Sequence, residues 1–407
     1  MVNLFLNKRI LLGVTGSIAA YKAVEIASRL TKAGALVDVI LTECATRFVA
    51  PLTFQSVTGR KAYTDADLWG GEGHVTHVGL GQAADLYVIA PISASTIARM
   101  ANGLGDNLVS LTVLAARCPV VIAPAMDAGM YAHAATKANV EILKQRGVHV
   151  IGPVEGHLAS GLVGPGRFVE PVDIVSELAY LLSRSGPLAG KKILVTAGGT
   201  QEPIDPVRRI TNRSSGRQGY ALAQAALNAG ADVTLISAPT NLIPPFGARV
   251  VPVVRVQEML EAVLSEVMHT DALLMAAAAS DFMPEEENAD KIKKSARGMT
   301  LLLKSAPDIL KAVAEIRQNT GQPGKVVGFA AESRDLEKYA AGKLREKNLD
   351  LIVANDILAA DAGFEVDTNR VTLFYASGEK QTLPLMSKIE VAEKIIEIVQ
   401  GWLVVTR

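Results

Sequence analysis

One phrase occurs twice in this chain, and it limits the folds available more than any other feature. Lys8-Arg9-Ile10-Leu11-Leu12-Gly13-Val14-Thr15-Gly16-Ser17 runs two cations into an apolar stretch, a glycine turn and a hydroxyl. Lys191-Lys192-Ile193-Leu194-Val195-Thr196-Ala197-Gly198-Gly199-Thr200 repeats it. A short apolar run closed by glycine reads as a strand of a parallel sheet, buried on both faces. After the first copy come a helical pattern over Ala19–Ala33, then Gly34, then a strand at Val37–Leu41. The second copy reaches its helix at Tyr220–Ala229 and its strand at Val233–Ile236 after an inserted loop. Each is the opening of a βαβ unit, so the chain of 407 residues predicts two α/β domains. Arg184-Ser185-Gly186-Pro187-Leu188-Ala189-Gly190 has a linker's composition and places the domains at 1–184 and 191–407.

Further strands are expected at Leu86–Ala90, Val120–Ala123 and Val148–Ile151, and at Ala272–Ala277, Lys325–Phe329 and Leu349–Val353. In open α/β sheets ligands bind beyond the carboxyl ends of the strands, so the loops after these runs are where chemistry belongs. Val371–Tyr375 and Gln381–Pro384 flank Ser377-Gly378-Glu379, a hairpin signal, and Glu390–Val399 reads as a closing helix.

Composition removes several classes of function. Lys plus Arg and Asp plus Glu both total 41, so no net field recruits nucleic acid or an anionic membrane. Cys44 and Cys118 are too few for a disulfide framework and lack zinc spacing. The richest apolar stretch, Leu108–Ala116, is closed by Arg117, well short of the roughly 18 residues of a membrane helix. The N-terminus has no signal-peptide pattern, and the expectation is a soluble, reduced, cytoplasmic protein.

In the first domain, Gly16 and Ser17 stand at a strand-to-helix turn, where free backbone N–H groups and the helix dipole suit a terminal phosphate. A tight turn with a serine cap explains the same residues. The turn lacks the G-x-G-x-x-G fingerprint, which speaks against an ordinary NAD-dependent oxidoreductase. Pro91-Ile92-Ser93-Ala94-Ser95-Thr96 supplies hydroxyls at a second helix start, some of them explicable by capping alone. His74 and His77 are two of only six histidines. Asp127, in Pro124-Ala125-Met126-Asp127-Ala128-Gly129-Met130, is a site carboxylate or a turn residue. Gly156–Arg167 is too glycine-rich for regular structure and reads as a lid or a flexible loop.

In the second domain, Gln201–Arg208 leads to Asn212-Arg213-Ser214-Ser215-Gly216-Arg217, whose hydroxyls, glycine and cations at a helix start suit a polyphosphate. Asp281 ends a strand, and Lys291-Ile292-Lys293-Lys294 begins ten residues later. Lys343 and Lys347, four apart, share one helical face. A solvated basic face is the bland account of both lysine groups; a phosphate clamp is the functional one.

Taken together, the first-domain motifs resemble the homo-oligomeric flavin-containing cysteine decarboxylases. The order of the Asn212 loop, Asp281, Lys-x-Lys-Lys and Lys343/Lys347 resembles phosphopantothenate–cysteine ligases. From about Lys8 to the C-terminal hairpin, the chain is similar to the bacterial bifunctional decarboxylase/ligase family of coenzyme A synthesis. The resemblance implies a flavodoxin-like three-layer flavoprotein domain followed by a Rossmann-like α/β ligase domain. It implies that the carboxylate of 4′-phosphopantothenate attacks CTP, giving an acyl-cytidylate that cysteine captures, with Mg²⁺ assisting. FMN-dependent oxidation then releases carbon dioxide from 4′-phosphopantothenoylcysteine and leads to 4′-phosphopantetheine.

By the same resemblance Gly16, Ser17, Ser93 and Thr96 hold FMN, His77 is the base, and Asp127 and Met130 contact substrate. In the ligase half Asn212 orients the acyl-cytidylate, Lys291 is the main catalytic cation, and Arg208, Phe329, Lys343 and Lys347 bind substrates. Asp281 meets the ribose or the metal. Homo-oligomers are implied as well, with trimeric flavoprotein halves and dimeric ligase halves, up to a dodecamer. Two positions depart from the pattern: Asp127 stands for the usual Asn, and Ser160 for the loop Cys, which places Ser160 among the catalytic candidates. An alternative is therefore an active ligase fused to a flavin-binding regulatory domain without full turnover.

Overall fold

A computed structural model describes residues 4–69, 75–294, 299–332, 342–356 and 368–404. The chain divides into two compact units, Asn3–Ala179 and Tyr180–Arg407.

In the first unit, β1 (Arg9–Val14), β2 (Leu36–Leu41), β3 (Ala62–Tyr63), β4 (Leu86–Ile92), β5 (Val120–Pro124) and β6 (His149–Val150) form one parallel sheet. Its order is 3-2-1-4-5-6, so the topological switch falls between β1 and β4. Ile10 sits beside Val37 on one flank and Leu86 on the other. All seven residues of β4 are buried, as a strand covered on both faces requires. The helices are α1 (Ala20–Lys32), α2 (Glu43–Thr46), α3 (Pro51–Thr58), α4 (Thr76–Ala83), α5 (Ala94–Asn102), α6 (Leu108–Ala115), α7 (Ala128–Ala132) and α8 (Ala134–Gln145), and α9 (Pro171–Ser183) begins in this unit and ends past the division at Ala179. Leu11, Ile40, Tyr87 and Ile89 share one core cluster with Ile97, Leu108, Val109 and Val140 of α5, α6 and α8, while α1 packs with β1, β2 and α3. This is the flavodoxin-like three-layer arrangement.

The glycine-rich stretch expected to lack regular structure instead forms an antiparallel ribbon, β7 (Val154–His157) with β8 (Val163–Arg167). Glycine is what lets the ribbon lie down. A Cβ on Gly166, at φ +141°, would stand 2.3 Å from Met126 O, and one on Gly164 would stand 3.0 Å from the Ala128 Cβ. Met126 N donates to Gly166 O at 3.1 Å across that close approach.

The second unit contains β9 (Lys192–Ala197), β10 (Gln201–Pro203), β11 (Arg209–Thr211), β12 (Asp232–Ser237), β13 (Arg249–Pro252), β14 (Ala272–Met275), β15 (Phe282–Pro284) and β16 (Leu303–Ser305). It continues with β17 (Lys325–Glu332), β18 (Leu351–Asp356), β19 (Thr368–Asn369), β20 (Val371–Tyr375), β21 (Lys380–Thr382) and β22 (Met386–Ser387). Eight of these make one sheet in the order 13-12-9-14-17-18-20-21. The first six run parallel, and the hairpin β20–β21 is antiparallel. The helices α10 (Arg217–Asn228) and α13 (Lys388–Leu403) pack into one core cluster, and α11 (Val256–Val267) and α12 (Ile309–Thr320) into the other. This is the second α/β domain. The segment 184–190 is a run of turns whose Leu188 is fully buried in the α10/α13 cluster. Among the described residues no helix is long and apolar enough to cross a membrane.

Candidate functional site

In the first unit the switch point is fastened by a residue the motif reading did not single out. Thr15, 1% exposed, donates its hydroxyl to Pro91 O (3.0 Å) and accepts Ser93 N–H (2.9 Å). That double bond locks the end of β1 to the end of β4. Ser93 caps α5, accepting Thr96 N–H at 3.3 Å, with its oxygen 3.2 Å from the Thr96 hydroxyl. Ser17 accepts Ala19 N–H (3.3 Å), with its hydroxyl 3.5 Å from Ala125 O, which ties it to the loop after β5. A Cβ on Gly16 would lie 2.5 Å from the Cys44 Cβ, so the close approach there needs glycine. The α1 cap is Ala19, with no side-chain acceptor for first-turn N–H groups. Gly16, Ser17, Ser93 and Thr96 thus stand on adjacent strand ends.

His77 lies in the first turn of α4, half-buried, and its Nδ1 is buried without a partner among the described residues. His74 lies outside the described residues. Met130 is on α7, 51% exposed. The two positions that depart from the family pattern touch each other: the Ser160 hydroxyl donates to Asp127 Oδ2 at 2.8 Å, while Asp127 Oδ1 caps α7 by accepting Gly129 N–H at 2.8 Å. The Ser160 hydroxyl, then the Gly129 N–H, hold the Asp127 carboxyl below its usual range. The pair can accept and orient hydrogen bonds; Ser160 cannot supply a thiol's acidity or redox chemistry.

In the second unit the ends of β14, β17 and β18 and the start of α10 surround a cavity of about 650 Å³. Asn212, Asp281, Phe329, Lys343 and Lys347 all line it. Asn212 Nδ2 donates to Ala278 O (3.3 Å) and Ala279 O (3.2 Å), which spends both of its N–H bonds on the chain and leaves its carbonyl oxygen for a ligand. Gly216, at φ +77°, caps α10 with no side-chain acceptor, so first-turn N–H groups are left for an anion. A Cβ on Gly219 would meet the Ala197 Cβ at 2.5 Å and Thr196 O at 2.7 Å, so glycine lets α10 sit directly on β9.

Lys347 is held by Asp308 at 2.9 Å, and Asp308 caps α12 by accepting Lys311 N–H. Burial would raise the Asp308 carboxyl, but Lys347 and the N–H groups outweigh it and hold it low.

Arg208 and Lys291 are not in the cavity wall. Arg208 instead pairs with the buried carboxylate of Asp205 (3.0 Å) and donates to Ile292 O (3.2 Å), while Ile292 N donates to Asp205 (3.2 Å). Burial favours a raised Asp205 pKa, yet the N–H groups of Val207, Arg208 and Ile292 with the Arg208 charge lower it. Arg208 and Asp205 therefore anchor the main chain next to Lys291, whose side chain is exposed. Asp-Pro-Val-Arg is an Asx-turn signal, and the buried acid could have been read from it. Among the described residues no three His, Cys, Asp or Glu side chains could jointly hold a metal, so Asp281 is a single carboxylate.

With this geometry in place, two family models divide the chain. One described as Flavoprotein matches residues 5–183, and one described as DNA/pantothenate metabolism flavoprotein C-terminal domain matches residues 188–403. The chain is 47% identical over 394 residues to the coenzyme A biosynthesis bifunctional protein CoaBC of Bacillus subtilis (strain 168), covering 96% of each. It is 44% identical to the protein of that name from Vibrio parahaemolyticus serotype O3:K6 (strain RIMD 2210633), over 96% of this chain and 97% of that one. It is 43% identical to that from Mycobacterium tuberculosis (strain ATCC 25618 / H37Rv), over 97% of each. Both halves of the chain, and nearly its whole length, are accounted for by these matches: it belongs to the family of coenzyme A biosynthesis bifunctional proteins.

Proposed function

We propose that the chain carries both activities of that family. Its second half joins cysteine to 4′-phosphopantothenate at the expense of CTP, through an acyl-cytidylate. Its first half decarboxylates 4′-phosphopantothenoylcysteine, leading to 4′-phosphopantetheine, in the cytoplasm and as a homo-oligomer. The observation that carries the reading is the nearly end-to-end likeness to bifunctional relatives, coupled to one cavity that gathers Asn212, Asp281, Phe329, Lys343 and Lys347.

In the ligase half the uncapped start of α10 receives phosphate oxygens, and Lys343 and Lys347 neutralise the charge that grows as pyrophosphate departs. Asp308 keeps Lys347 in place. The Asn212 carbonyl oxygen orients the activated acyl group, and Lys291, on the segment whose main chain the Asp205–Arg208 pair anchors, is the catalytic cation of this reading. Magnesium arrives with CTP as part of the substrate, with Asp281 as a carboxylate on the cavity wall.

In the decarboxylase half the residues fit FMN. The turn at Gly16 and Ser17 before α1 takes a phosphate, and the orphaned Nδ1 of His77 calls for a polar partner. Bound flavin supplies the two-electron acceptor for oxidation of the thiol carbon. His77 takes the proton released there, and Asp127 with Ser160 holds the ribbon against α7 beside the substrate.

The test is mass spectrometry of products after the purified chain meets 4′-phosphopantothenate, cysteine, CTP and Mg²⁺. Appearance of 4′-phosphopantetheine supports both activities. Accumulation of 4′-phosphopantothenoylcysteine, or of an oxidised decarboxylated thiol, refutes full turnover in the first half, and absence of any ligated product refutes the ligase.

A further inference from the structure

In the first unit the regular pairing of the sheet gives out just short of the candidate flavin residues. β4 pairs with β1 in register as far as Gly13 beside Ile89, and its register against β5 shifts between Ile89 and Ile92. Pro91 falls within that break and has no N–H to give. Thr15 makes the connection beyond it. Its N–H and its hydroxyl both donate to Pro91 O, at 3.1 and 3.0 Å, and its hydroxyl oxygen accepts Ser93 N–H at 2.9 Å. The hydroxyl is thus used both as donor and as acceptor, at 1% exposure. In the second unit Thr196, fully buried at the end of β9, likewise accepts Ala277 N–H at 3.1 Å just past the end of β14.

The consequence reaches the residues assigned to the flavin. Ser93 Oγ accepts Thr96 N–H at 3.3 Å and lies 3.2 Å from the Thr96 hydroxyl, so this pair of hydroxyls follows the Ser93 backbone. Ala125 N donates to Ile92 O at 3.2 Å, and the Ser17 hydroxyl lies 3.5 Å from Ala125 O. The ends of β1, β4 and β5 are therefore tied in a closed ring, with Thr15 as a buried member. The Gly16 turn cannot slide toward α2 to compensate for a loosened ring, because Cys44 already stands where a Gly16 Cβ would go. A methyl in place of the Thr15 hydroxyl leaves Ser93 N–H without an acceptor, and a bare donor turns toward water, taking the hydroxyl pair with it.

We propose that Thr15 is a positioning residue of the flavin site: its hydroxyl holds the Ser93–Thr96 pair in register with the Gly16–Ser17 turn, so that one FMN meets both. The assignment deepens the flavin reading and rests on it. Thr15 acts through Ser93 and needs no contact with the flavin itself.

The experiment uses the full chain as purified with its flavin. Thr15→Val removes the acceptor at similar size, and Thr15→Ser keeps it. Leu143→Ala, in the last turn of α8 and 2% exposed, loosens the same core by packing alone. Circular dichroism checks each fold; should Thr15→Val fail to fold, Thr15→Cys takes its place, since a thiol is only a weak acceptor. FMN released on dilution, followed by its fluorescence, gives the dissociation constant. The expected result is a Kd raised at least tenfold in Thr15→Val and within threefold of wild type in Thr15→Ser and Leu143→Ala, with ligation unchanged in all. An unchanged Kd in Thr15→Val would overturn the proposal. So would a loss in Thr15→Ser or Leu143→Ala as large as that in Thr15→Val, because general loosening of the unit would then account for it. A wild-type chain that purifies without flavin would instead defeat the flavin reading beneath it.

Discussion

Replacing Thr200 by Val exchanges a hydroxyl for a methyl of similar size where there is no solvent. The hydroxyl accepts Ser280 N–H at 3.0 Å and lies 3.2 Å from the Ser280 hydroxyl. Ser280 is itself only 6% exposed, so water is poorly placed to substitute. Leaving that N–H unpartnered costs about 1–3 kcal/mol. At about 2–4 °C per kcal/mol for a domain of this size, the transition of the second unit falls by about 2–12 °C. Thr200→Ser keeps the oxygen and gives up a buried methyl, about 1 kcal/mol. The two variants therefore separate the hydrogen bond from the packing.

Function should follow the bond. The loop 278–281 that Thr200 holds also receives both bonds from Asn212 and carries Asp281 into the cavity. Calorimetry of the full chain, with ligation rates at saturating substrates, is the assay. Thr200→Val is expected to lose more than tenfold in ligation and to melt earlier than Thr200→Ser, which stays within a few-fold of wild type. A Thr200→Ser chain as damaged as Thr200→Val in both readouts refutes the reasoning, because methyl packing would then carry the site.

Ser160→Ala removes the leading cause of the lowered Asp127 pKa. The bond's stabilisation is fully present above the ordinary aspartate value of about 3.9 and fades as pH falls through the lower folded value, so the variant's carboxyl should titrate higher by NMR; an unmoved titration sinks the idea. Asp308→Ala loses the α12 cap, about 1 kcal/mol, and releases Lys347, so the KM for CTP should rise several-fold. Decarboxylation of supplied 4′-phosphopantothenoylcysteine should stay as it was in that variant. Gly219→Ala drives a methyl into Thr196 O and Ala197, costing about 1–3 kcal/mol, and is expected to abolish ligation by lifting α10 from β9. Wild-type ligation in that variant contradicts the account. His77→Ala should stop decarboxylation while the purified protein stays yellow; an unaffected rate rules His77 out as the base.

Much of the scaffold was legible in sequence because parallel strands buried on both faces are continuous apolar runs, and their ends are punctuated by glycine. Both copies of the repeated phrase became central strands, β1 and β9, each at the switch point of its sheet. The misjudged stretch, 156–167, was read by composition, which ties glycine to disorder. There glycine serves close contact, since Gly164 and Gly166 are what let a ribbon rest on Met126 and Ala128. The helix α10 begins at Arg217 rather than near Tyr220 because Gly216 in the left-handed region supplies the cap, and backbone geometry of that kind leaves little trace in apolar periodicity.

Sequence order alone sufficed for the two α/β units, the strand directions and the loops at the strand ends, because these depend on local patterning of apolar residues and turns. Tertiary structure decided which of those loops meet. Asp205 reaches Ile292 across 87 positions, Ser160 reaches Asp127 across 33, and Gln218 reaches Lys388 across 170. Nothing in the spacing of single polar residues encodes such pairings. They arise because a parallel sheet delivers the carboxyl ends of distant strands to one edge, where buried polar groups must find partners in one another or in a ligand.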